Sequence, residues 1–128
     1  MNQANFCILL AAIFPILLAG LAKFGGKRLG VDYDNAAPRQ SLARLAGWPQ
    51  RANWAQQNSW EALPVFVAAV LMARQAGLDS DSLALWAWIF ILARCAYAAC
   101  YALDFSTARS LCWVLGFGAC IRLMVAAI

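Results

Sequence analysis

Arg51, Asn58 and Glu61 stand in the stretch RANWAQQNSWEALPVF, between Arg51 and Phe66, where the surrounding residues predict a helix entering hydrocarbon. Ionisable groups are expensive to keep there and call for a partner or a purpose. Their offsets of zero, seven and ten residues place them on one face of a helix. A second polar set lies in RCAYAACY, where Arg94, Tyr97 and Tyr101 follow a zero, three, seven spacing and again share a face. Arg109 opens the last apolar segment, where the start of a helix adds partial positive charge. Arg51, Arg94 and Arg109 as cations, Glu61 as an anion, and Asn58, Tyr97 and Tyr101 as hydrogen-bonding groups suit a ligand with several carboxylates and one amine. A polar network that fixes helix register and binds nothing would use the same residues, and on the residues alone both remain open.

The elements that must position these groups follow from composition. The chain has 128 residues, of which 64% are hydrophobic and 12% charged, with a mean hydropathy of +0.65. Those values take it out of the soluble class, where about 25% of residues are charged. A spanning helix needs about 20 mostly apolar residues, and four segments qualify, at about 5–22, 50–75, 82–103 and 108–128. The expected fold is therefore an all-α membrane protein, one domain over 1–128 built as a four-transmembrane-helix bundle. The apolar runs are continuous, which excludes a β-barrel built from alternating segments.

Between the first two segments, about 23–49, FGGKRLGVDYDNAAPRQ is rich in turn formers and reads as a loop. SLARLAG after it has helical character up to Gly47, and Pro49 suits the first turn of the second spanning helix. Pro15 is expected to kink the first helix, and Pro64 frees the carbonyl of Trp60 beside Glu61. Asp81 or Ser82 is available to cap the third helix, and Ser106 or Thr107 the fourth. Counted back from Asp104, Arg94 lies roughly 15 Å deep, Tyr97 about 10 Å and Tyr101 about 5 Å. Glu61 falls at a depth similar to Arg94. An unpaired arginine at a helix centre costs about 2.5 to 3.5 kcal/mol, so Arg94 is expected to pair with Glu61 or with a bound anion.

The region after the first helix carries Lys23, Lys27, Arg28, Arg39, Arg44 and Arg51 against Asp32 and Asp34, while the turn between helices two and three holds Asp79 and Asp81 beside Arg74, which puts the long loop in the cytoplasm and both termini outside. No basic residue precedes the first apolar run, so that run is expected to stay as a helix and not to be removed as a secretory signal. The net charge of +4 belongs to a loop facing an anionic leaflet, and nucleic acid is not an expected partner. Five cysteines without a CxxC pair and without histidine make a metal site unexpected. They read as packing residues, with Cys112, Gly116 and Cys120 forming a small-residue stripe for close helix approach. Arg122, near the outer end, is expected to snorkel toward the carboxylate of Ile128.

Asn58, Glu61, Pro64 and Phe66 write the pattern NxxExxPxF, and Arg94, Tyr97 and Tyr101 write RxxYxxxY. In this order and orientation they resemble the second-helix and third-helix signatures of the MAPEG superfamily, the membrane-associated proteins in eicosanoid and glutathione metabolism. DNAAPR and ARSLCWVLG are similar to its small bacterial branch, so the resemblance covers nearly the whole chain.

The resemblance implies a homotrimer of four-helix subunits in a bacterial inner membrane, surrounded by membrane lipid, with glutathione as co-substrate bound between subunits near the cytoplasmic face. Arg51, Asn58, Glu61, Arg94, Tyr97 and Tyr101 are then the glutathione-binding positions, and Arg109 the catalytic, thiol-activating arginine. An apolar small molecule entering from the lipid side is the electrophile of a transferase or peroxidase. The pattern departs at Trp54, where glutathione-handling members carry a second arginine. That departure keeps a second reading open, a non-catalytic lipid-binding or scaffold subunit of the same fold. A small exporter is a third, disfavoured because a glutamate held in an ion pair with Arg94 could not exchange protons.

Overall fold

The computed structural model describes residues 2–128 and contains five helices: α1 (Gln3–Arg28), α2 (Pro38–Ala43), α3 (Gly47–Gln75), α4 (Ser80–Ala102) and α5 (Ser106–Val125). Four are long and build the bundle, while α2 is a single short piece in the loop. α1 packs on α3 and α4, and α5 packs on the same two helices. The centre is a stacked pair, Phe66 of α3 on Phe90 of α4, with ring centroids 4.0 Å apart and planes 4° from parallel. Small residues around it, among them Ala69, Ala73, Ala87 and Ala119, let the backbones approach. Three helices, α1, α4 and α5, are long and apolar enough to cross a membrane. α3 has the length, at 29 residues, but carries the polar face and is correspondingly less apolar.

α1 runs to Arg28, past the end expected near residue 22. Gly25 and Gly26 read as turn formers in isolation, yet both are helical and buried, because a neighbour occupies the space a side chain would take. The Trp48 indole and Pro49 lie against Gly25, and Leu45 lies against Gly26. Tertiary contact thus overrides the low helix propensity of glycine. The loop shrinks accordingly, and α2 begins at Pro38, which occupies a first-turn position. Leu45 then enters a small cluster with Ala22 and Ala52 that fastens the loop to the bundle.

The caps also differ from expectation. Asp79, not Asp81 or Ser82, caps α4, accepting the Ser82 N–H at 2.8 Å. Neither Ser106 nor Thr107 caps α5, whose N-cap residue is Phe105 and has no side-chain hydrogen bond. The α4–α5 turn is closed by backbone bonds, Phe105 N–H to Cys100 C=O and Asp104 N–H to Tyr101 C=O, with Asp104 in the left-handed region at φ 64°. Arg122 lies over the Trp86 ring, 5.8 Å from its centroid, and so has an aromatic partner in place of the expected carboxylate. Cys7 and Cys120 are buried in the core, in keeping with packing roles, and no group of residues suited to a metal ion occurs among the described residues.

Candidate functional site

The buried face of α3 repeats Ala52, Ala55, Ser59 and Phe66, which docks the helix on its neighbours and turns Asn58 and Glu61 toward α4 and α5. On α4, Phe90, Arg94 and Tyr97 are buried together. On α5, Gly116 lets the helix approach α4, since a Cβ there would sit 3.6 Å from Ala93 Cβ and 3.8 Å from Arg94 Cδ. The three helices enclose a cleft of about 140 Å³ lined by Asn58, Glu61, Phe90, Arg94, Trp113 and Phe117, among others. Trp113 and Phe117, stacked with centroids 5.2 Å apart, form its outer wall.

Arg94 is the most deeply placed charge in the chain, with 5% of its surface exposed. Its guanidinium donates to the Ser59 hydroxyl at 3.1 Å and lies 4.3 Å from the centroid of the Tyr97 ring. Ser59 in turn donates to Ala55 C=O at 2.8 Å. The expected bond from Arg94 to Glu61 is replaced by this hydroxyl, because Ser59 projects into the interface with α4 while Glu61 remains exposed at the cleft. The Glu61 carboxylate accepts from Asn58 Nδ2 at 3.3 Å. Asn58 Oδ1 is left buried with no hydrogen-bond partner, as is Asn53 Oδ1 earlier on the helix. A buried acceptor without a donor costs roughly 1 to 3 kcal/mol.

Toward the α4–α5 turn the remaining residues form a line. Tyr97 meets Tyr101 edge to face at 5.6 Å, and the Arg109 guanidinium lies 4.4 Å from the Tyr101 centroid. Trp54, where a second arginine was the pattern, packs at 6.1 Å on the same tyrosine. Arg51 is drawn aside: its Nε and Nη2 donate to Ala102 C=O at 3.4 and 3.2 Å, capping the C-terminal end of α4. Of the seven candidate residues, Asn58, Glu61 and Arg94 therefore share one cleft, Tyr97, Tyr101 and Arg109 continue from it, and Arg51 serves the end of α4.

A family model described as MAPEG family matches residues 4–128. The chain belongs to the MAPEG family. As a MAPEG protein with membrane-spanning helices it is an integral membrane protein, and its family includes glutathione transferases and peroxidases. No curated protein and no solved structure matches the chain. Within this MAPEG chain, reasoning from sequence missed Ser59 and the Trp113–Phe117 wall. Both left a trace: Ser59 stands four residues after Ala55 and seven before Phe66 on the small-residue face, and Trp113 and Phe117 are one turn apart on α5.

Proposed function

We propose that this chain is a glutathione-dependent transferase or peroxidase of the inner membrane, acting as a homotrimer on an apolar electrophile through an arginine-stabilised thiolate. The observation that supports the reading is the Asn58–Glu61 pair beside Arg94 at one cleft. Asn58 gives its amide N–H to Glu61, whose exposed carboxylate remains an acceptor at the cleft that both residues line, while Asn58 Oδ1 is buried without a partner. A primary ammonium is the donor such a pair lacks, and glutathione carries one beside its carboxylates. Arg94 has five N–H donors of which Ser59 takes one, leaving others for a carboxylate.

Arg109 is the thiol-stabilising residue in this reading. An ordinary thiol has a pKa near ~8.5, so at neutral pH the thiolate is the minor form. Lowering that value by one unit takes about 1.36 kcal/mol of preferential interaction with the anion. A guanidinium at the start of α5 supplies both its own charge and the partial charge of the helix end. Tyr101, under Arg109, holds the cation in position without using its N–H donors.

A non-catalytic lipid-binding or scaffold subunit is the second reading, favoured by two specific contacts: Arg51 is engaged with α4, and Trp54 fills the place of a cation against Tyr101. Titrating the solubilised protein with glutathione and reading the ultraviolet absorbance of the thiolate separates the two. An absorbance that appears in the parent and is lost in Arg109→Ala supports the enzyme. Silence at millimolar glutathione would sink it and leave the second reading.

A further inference from the structure

A second feature lies between α1 and α4 and touches the polar cleft only at Phe90 and Arg94. Along α1, Leu10, Ile13, Leu17, Leu21 and Phe24 recur at three-residue and four-residue spacing, and the stripe ends on Arg28. Beneath it lie two apolar recesses. One, of about 130 Å³, is bounded by Leu10, Ile13 and Leu17 with Leu63 and Ile91, and Ser59 and Arg94 stand at its inner end. The next, of about 250 Å³, is bounded by Leu18, Leu21 and Trp48 and floored by Ala98, Ala99 and Ala102. Phe14 and Cys95 stand in the walls of both, so the two form one groove between α1 and α4. In the next turns of α1 after Leu21, Phe24, Lys27 and Arg28 line a further recess of about 470 Å³.

We propose that this track binds one anionic phospholipid per chain, an acyl chain in the α1–α4 groove and the phosphate at Lys27 and Arg28. Three features select that occupant. From Ile13 to Phe24 is eleven residues, or ~16 Å along the helix axis, which matches one leaflet of a hydrocarbon core about 30 Å thick. The α4 floor is alanine, so the groove is open to a chain the width of a methylene row and is bordered by exposed leucines. Past Leu21, α1 itself changes from apolar to cationic at Lys27 and Arg28, and Trp48 closes the groove near that level at the position of an interface residue. Arg28 is pre-oriented, its guanidinium 5.1 Å from the Phe24 ring centroid. The backbone behind it is fixed by Leu29 N–H bonds to Gly25 and Gly26 C=O and by Val31 N–H to Gly26 C=O. A cation pair at headgroup height, below which an apolar groove descends one leaflet, matches a phosphodiester with acyl chains and matches neither a soluble anion nor a neutral lipid. The inner end of the groove reaches Phe90 and Arg94, which also line the polar cleft, whereas Lys27 and Arg28 share no recess with it, so the headgroup assignment does not rest on glutathione binding.

The test is native mass spectrometry of the delipidated full-length protein in detergent, titrated with phosphatidylglycerol and with phosphatidylcholine of the same chain length. The parent is expected to retain phosphatidylglycerol with a preference of about 30-fold, the contribution of two basic residues at a membrane surface. Lys27→Gln combined with Arg28→Gln should reduce the preference to about 2-fold, and Ala99→Phe, which fills the groove, should weaken both lipids alike. Equal binding of the two lipids by the parent, or an unchanged preference in the double variant, would overturn the headgroup assignment. Displacement of the lipid by millimolar inorganic phosphate alone would show a free-anion site, and full binding by Ala99→Phe would show that the chain lies elsewhere; either result defeats the proposal.

Discussion

Replacing Ser59 by alanine removes one hydroxyl and leaves Arg94 without the one hydrogen bond that the chain gives its guanidinium. The backbone loses nothing, because Ala55 C=O keeps its helical partner and the hydroxyl bond to it is an addition. Hydrogen bonds to charged groups contribute about 1.5 to 3 kcal/mol, and at 3.1 Å in a site 5% exposed the upper half of that range applies. Alanine returns up to ~0.5 kcal/mol in helix propensity. The net expectation is a loss of roughly 1.8 to 3 kcal/mol, or a fall in Tm of several degrees for a domain of this size. Thermal unfolding of the solubilised protein, followed by far-ultraviolet circular dichroism, reads it directly. The decisive form is a double-mutant cycle with Arg94→Met, which removes the buried charge and fills its space with an apolar chain. In that background Ser59→Ala should change stability by less than about 0.5 kcal/mol. If Ser59→Ala costs the same in both backgrounds, the Arg94–Ser59 bond contributes nothing, and the account of how the chain tolerates a buried arginine is wrong.

Arg109→Ala is expected to lower kcat about 10²- to 10³-fold with KM for glutathione little changed, as for a group that acts on developing or stabilised negative charge; equal loss in binding would remove its assigned role. Within α1, Gly20 has open space where a Cβ would go while Gly25 faces Trp48 and Pro49, so Gly20→Ala should stabilise by about 0.5 to 1 kcal/mol and Gly25→Ala destabilise by about 1 to 3 kcal/mol. Matching Tm shifts in the two variants would refute the close approach. Outside the spanning segments, the Ser82 N–H holds the Asp79 carboxyl below its ordinary range. A depressed folded-state value means a contribution present above the unfolded pKa, near ~3.9, and lost as pH falls through the folded value. The Tm advantage of the parent over Asp79→Asn, which keeps the cap but cannot titrate, should therefore shrink below about pH 4, and a constant difference would show that this carboxylate is uncoupled from folding.

The helix interiors and the two polar faces were legible because they rest on period and hydropathy, which each segment carries by itself. Asn58 with Glu61, and Arg94 with Tyr97 and Tyr101, fall where the spacing put them. What the chain did not disclose is set between segments. α1 continues through Gly25 and Gly26 because Trp48, Pro49 and Leu45, some twenty residues later, occupy the glycine surfaces. The Arg94–Glu61 pairing was inferred from matching depth, and depth alone cannot rank partners at the same level. Ser59 is two residues from Glu61, so it shares that level, but it points into the α4 interface and reaches Arg94 first.

The three arginines of the candidate site separate by the kind of partner each has. Arg51 spends two donors on Ala102 C=O, at the end of α4 where the helix terminus is negative, and so fixes the depth of α3 against α4. Arg94 gives one donor to Ser59 and lines the cleft, so it is a structural charge placed at the cleft wall. Arg109 rests on Tyr101, a contact that requires no N–H. An anion would compete with a carbonyl for Arg51, whereas among the described residues no hydrogen bond occupies the donors of Arg109. Losing Arg51 should accordingly appear first in stability, and losing Arg109 first in chemistry, although the sequence offers both alike as cations of the candidate site.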